Sequence, residues 1–119
     1  MNIEVSNGEL VDKVSILRVK LEKIWDTDKR ICLTLELVGL ESIVRQMGCY
    51  AELLELQDIN GRLWNIIGEA KTLLERGELN KRFVELSADT IRLNNARFLI
   101  KKKIDHDTGS TIREVKEGL

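Results

Sequence analysis

The sequence predicts an all-α domain, an antiparallel bundle of about four helices, and three observations carry that prediction. Apolar residues return at spacings of three and four along four separate stretches, the signature of helices with one buried face. No proline occurs in 119 residues, so only glycine and polar turn residues interrupt that pattern. Aromatic residues are 4% of the chain against 43% apolar residues overall. The core must therefore be built from leucine, isoleucine and valine.

Residues 2–5 read as a short extended entry. Ser6 follows as a helix N-cap, with Glu9 completing a capping-box spacing. Leu10, Val14, Leu17, Leu21 and Ile24 then form one stripe on a first helix over about 7–25. Asp26 to Asp28 make a polar turn, with Thr27 or a neighbour as the next cap. The second helix, about 28–47, carries Leu33, Leu37, Leu40, Val44 and Met47. Ile31, Leu35 and Val38 widen its apolar face, which predicts burial on two sides. Gly48 suits the left-handed position that ends a helix. A third helix over about 50–76 places Leu53, Leu56, Leu63, Ile67, Ala70 and Leu74 in register, and Gly77 stops it. The fourth, about 79–106, carries Leu79, Phe83, Leu86, Leu93, Ile100 and Ile104.

Connections this short make neighbouring helices antiparallel, giving two long hairpins with shallow crossings. Apolar residues on more than one face of the second and fourth helices predict self-association, a dimer by default. The tail over 108–119, with Ile112 and Val115 weakly alternating, reads equally as a strand pairing with residues 2–5 or as a free tail. The whole of 1–119 is read as one domain, a length that can bury a single core.

Nineteen basic against twenty acidic residues leave a net charge of −1. That balance lacks the positive field of a nucleic-acid binder. Cys32 and Cys49 have no metal-ligand spacing and read as reduced thiols in a cytoplasmic protein. MNIEVSNGEL has neither a basic region nor an apolar run, so no signal peptide is predicted. No stretch has the apolar length to span a bilayer.

The helical register also exposes its exceptions. Asn60 falls between Leu56 and Leu63, Thr90 between Leu86 and Leu93, and Arg97 between Leu93 and Ile100. A buried amide or guanidinium must find partners, because leaving it unpaired costs about 1–3 kcal/mol or more. Asn60 either fixes helix register or oligomeric state, or touches a ligand. Arg97 either reaches solvent, pairs with a carboxylate such as Glu9 or Asp12, or receives an anion. Asn94 and Asn95 stand together in a helix that propensity alone would build differently. Gly61 and Gly68, on one face beside Asn60 and Trp64, each cost about 1 kcal/mol of helix stability. Close approach of another backbone is the preferred reason, a flat ligand the other. Trp25 and Trp64 read as core or rim anchors, and Lys101 to Lys103 complement a helix C-terminal dipole. His106 between Asp105 and Asp107 imitates a metal trio, but adjacent helical residues point in different directions.

No glycine-rich phosphate loop, nucleophile elbow, zinc pattern or cofactor motif is present, and a single histidine leaves little imidazole chemistry. An all-helical, metal-dependent nucleotide phosphohydrolase would need several converging carboxylates. Glu9 with Asp12 and Glu52 with Glu55 offer two pairs, on separate helices and in the reverse order for that class.

The segments Ser6-x-Gly8-Glu9-Leu10-x-Asp12-Lys13, Ile16-Leu17, Asn60-x-x-Leu63-Trp64, Phe83-Val84-Glu85-Leu86, Asn94-Asn95-x-Arg97 with Lys101 and Lys103, and Gly109-Ser110 carry a resemblance. Over nearly the whole chain, less so in the second helix, the protein resembles a small helical family of bacteria and their phages known only as a domain of unknown function. Relatives tend to carry an acidic residue where this chain has Asn95. The resemblance implies a helical fold and no established activity. It singles out Glu9, Asp12, Lys13, Asn60, Trp64, Asn94 and Arg97. Gathered at one end of a bundle, these would suit a small anionic ligand such as a nucleotide or nucleotide-sugar. The expectation is therefore a non-catalytic, oligomeric helical protein that binds such a ligand. A protein-interaction module comes second, and the phosphohydrolase third.

Overall fold

A computed structural model describes residues 4–110. They form four helices: α1 (Asn7–Lys23), α2 (Thr27–Arg45), α3 (Tyr50–Glu75) and α4 (Lys81–Asp107). The predicted class and all four elements stand, with ends shifted by about two residues. The predicted pairing of residues 2–5 with the tail involves positions outside the described residues. No helix among the described residues is long and apolar enough to cross a membrane.

The local signals act much as read. Ser6 accepts from the Glu9 backbone N–H at 3.1 Å, but the Glu9 carboxylate turns to Lys101, so only half of a capping box forms. Asp26, rather than Thr27, caps α2 by accepting from Lys29 N–H at 3.0 Å. Asn80 caps α4 through Phe83 N–H at 3.1 Å. Gly48 and Gly77 take φ of 69° and 68°, the left-handed geometry expected of helix stops.

All three other helices pack on α1, and α3 and α4 pair with each other, whereas α2 rests chiefly on α1. The core is aliphatic: Val11, Val14, Leu53, Leu56, Ile104, Val44 and Cys49 form one buried cluster, with Leu10, Leu37, Leu40, Met47 and Ile100 against it. Burial pushes the Cys49 thiol above its ordinary range, and the nearby Glu52 carboxylate adds to the effect. Ion pairs clasp the α3–α4 hairpin toward each end, Arg82 with Glu69 and Lys103 with Glu52.

Three expectations are corrected. The second helix buries only one face. Leu33, Leu37 and Leu40 turn toward α1, while Ile31, Leu35 and Val38 are 53%, 72% and 66% exposed. Trp25 is no core anchor either; it stands in solvent beneath the Arg30 guanidinium, 5.4 Å from its ring centre. Nor do the apolar stripes of α3 and α4 stay covered along their length. No α3 residue beyond Leu63 is buried, and Ile67, Leu74 and Leu79 are exposed. The hairpin outruns the short helix α1 that would cover it.

Candidate functional site

The polar groups on the inner side of α1 are organised along its contact with α4. At the N-terminus of α1, Gly8 N–H donates to the Asp105 carboxylate at 2.6 Å, and Asn7 N–H to Ser110 Oγ at 3.2 Å. The Asn7 amide donates to Thr108 Oγ1 at 2.8 Å. An anionic side chain of α4 thus occupies the place where a helix N-terminus favours negative charge. The approach is close enough that a Cβ on Gly8 would lie 2.4 Å from the Lys101 carbonyl oxygen. One turn along, Lys101 pairs with Glu9. Lys101 is itself buried, so it serves this contact more than the dipole of α4, contrary to the sequence reading.

One further turn along lies Asp12, only 2% exposed. Arg97 Nε donates to its Oδ1 at 2.9 Å and a terminal guanidinium nitrogen to its Oδ2, a two-pronged geometry that suits a carboxylate. The Asn60 amide of α3 donates to Asp12 Oδ1 at 2.9 Å and to Ser15 Oγ at 2.8 Å. The Ser15 hydroxyl in turn donates to the Asp12 backbone carbonyl at 2.6 Å. A buried carboxylate of α1 is thereby held by residues of two other helices, with Arg97 and Asn60 turned to the same point. No buried side-chain nitrogen or oxygen among the described residues lacks a partner.

Outside this knot a groove of about 550 Å³ opens between α1, α3 and α4. Its walls are Ile16, Val19, Leu63 and Ile67, with Trp64 and Gly68 on α3, and its polar edge is Asn60, Asn94 and Arg97. Trp64 is 41% exposed there. The packing explanation for the two glycines does not hold, since a Cβ on Gly61 or Gly68 would meet nothing within 4 Å. Gly68 instead leaves one side of the groove bare.

Of the seven residues singled out, Asn60, Trp64, Asn94 and Arg97 line this groove, and Asp12 sits behind it, holding two of them. Glu9 and Lys13 are elsewhere: Glu9 faces Lys101, and Lys13 reaches Glu36 of α2 at 2.9 Å. The sequence reading missed Gly8, Ser15 and Asp105 as structural partners. Small or charged residues carry no apolar signal, and only the meeting of α1 with α4 shows that they are buried. Among the described residues no group of three histidines, cysteines or carboxylates converges; Glu9 and Asp12 face cations of α4 and Glu52 faces Lys103.

No curated protein and no solved structure is significantly similar to this chain. A family model described as a family of unknown function (DUF6165) matches residues 1–118. With a match of that extent, the chain belongs to this family of unknown function.

Proposed function

We propose that the protein is a non-catalytic binder of a small ligand of nucleoside or nucleotide size, held in the groove between α1, α3 and α4. One observation carries the reading: an apolar groove of about 550 Å³ gathers Trp64, Asn60, Asn94 and Arg97 on its rim. Ligand pockets are typically about 300–1,000 Å³, mostly apolar, with few polar groups that set orientation. A flat ring against the indole would gain about 1–3 kcal/mol from stacking, and the bare Gly68 backbone leaves room for it.

The chemistry of the polar edge narrows the class. The Arg97 charge is already matched by Asp12, and Lys13 lies away from the groove. An anionic group would meet hydrogen-bond donors rather than a surplus of positive charge. The reading therefore favours a ligand with a heteroaromatic ring and one modest polar or anionic group over a polyphosphate.

A thermal-shift screen of nucleosides, nucleoside mono- and triphosphates and sugar nucleotides tests this. A ligand present at about 100 times its dissociation constant adds about 2.7 kcal/mol of stability. The expected result is a shift for at least one ring-bearing ligand that vanishes in Gly68→Leu, a variant that fills the groove from an open position. If no compound raises the Tm of the wild type by more than it raises that of Gly68→Leu, the reading is overturned.

A further inference from the structure

The outward face of α2 has no partner within the chain, yet it is patterned. Asp28, Ile31, Leu35, Val38, Ser42 and Arg45 recur at alternating spacings of three and four. That repeat has the spacing of a two-stranded coiled-coil seam, apolar at Ile31, Leu35 and Val38 and polar at its ends. It lies on the side of α2 opposite Leu33, Leu37 and Leu40, which pack toward α1, and all six residues are exposed. Gly39 flanks the seam, and a Cβ placed there would meet nothing within 4 Å.

From this face we infer that the protein forms a two-fold symmetric dimer through antiparallel pairing of α2 with α2 of a second copy. The charges at the ends select both the occupant and the direction. About an axis between Leu35 and Val38, Asp28 of one copy meets Arg45 of the other, Ile31 meets Ser42, and Leu35 meets Val38. Both end pairs are then of opposite sign. Parallel pairing would set Asp28 against Asp28 and Arg45 against Arg45. Neither residue has an ion-pair partner within the described chain, and the seam thus complements itself, as a two-fold interface requires. The central apolar pairs leave water on association, and Gly39 lets the two backbones draw close. The face shares no residue with the groove, so the dimer stands or falls independently of ligand binding.

Sedimentation velocity tests the proposal across a dilution series. The wild type should be a dimer that dissociates on dilution, and Leu35→Glu a monomer with an unchanged helical circular dichroism spectrum. Asp28→Arg or Arg45→Asp alone should each weaken the dimer by about tenfold, the scale of a lost interfacial charge pair. Asp28→Arg combined with Arg45→Asp should restore it, because the pairs are merely reversed. A monomeric wild type at every soluble concentration would overturn the dimer, as would a Leu35→Glu variant that still dimerises. Single charge reversals without effect would overturn the antiparallel arrangement.

Discussion

At the scale of single residues, the most constrained position is Gly8. Its N–H is committed to Asp105 and its missing Cβ admits the Lys101 backbone, which has no flexible end to move aside. Gly8→Ala should cost roughly 3 kcal/mol, the upper range for overpacking. Urea denaturation measures it; a loss below that of an ordinary surface substitution would mean that α1 and α4 can separate without penalty. Asp12 belongs to the same contact but was partly legible beforehand. Its pairing with Arg97 was one of several readings that the register left open, because a guanidinium at a seam position must find an anion. The choice among Glu9, Asp12 and solvent depends on how far α1 slides along α4, a quantity that no local pattern contains. Asn60 likewise proves to clasp α1 to α3 within one chain.

At the scale of elements, each helix was readable because capping and periodicity are local, whereas each buried face was readable only where it is apolar. Helix α1 shows the difference. Its predicted stripe is partly covered, yet Gly8, Asp12 and Ser15 on another side are also buried, because α2, α3 and α4 all rest on it. Helix α3 shows the converse: its register continues past Leu63, but the cover does not. The mid-helix glycines of α3 then lack a packing reason in this chain. Gly61→Ala should therefore stabilise the protein by about 1 kcal/mol, the difference in helix propensity alone. Thermal unfolding gives the answer, and a destabilised variant would show that something does approach that face.

At the scale of the whole molecule, the arrangement is asymmetric. Helices α1, α3 and α4 contact one another mutually, while α2 rests chiefly on α1, whose Arg18 also holds it through Glu41. Local opening follows the least-covered contacts, so in dilute solution the backbone amides of α2 should exchange with deuterium before those of the central turns of α1 and α3. Uniform protection across all four helices would contradict this layout. By itself the sequence determined the helix count, their ends to within about two residues, the aliphatic core and the set of polar residues out of place in their seams. These follow from forces that act between residues three or four apart. Tertiary structure alone decided that α1 is the central helix, that Arg97 and Asn60 meet at Asp12, that Lys13 turns away, and that α2 keeps a bare apolar seam. Each depends on contacts between residues tens of positions apart, and helix periodicity repeats identically whichever neighbour a face meets.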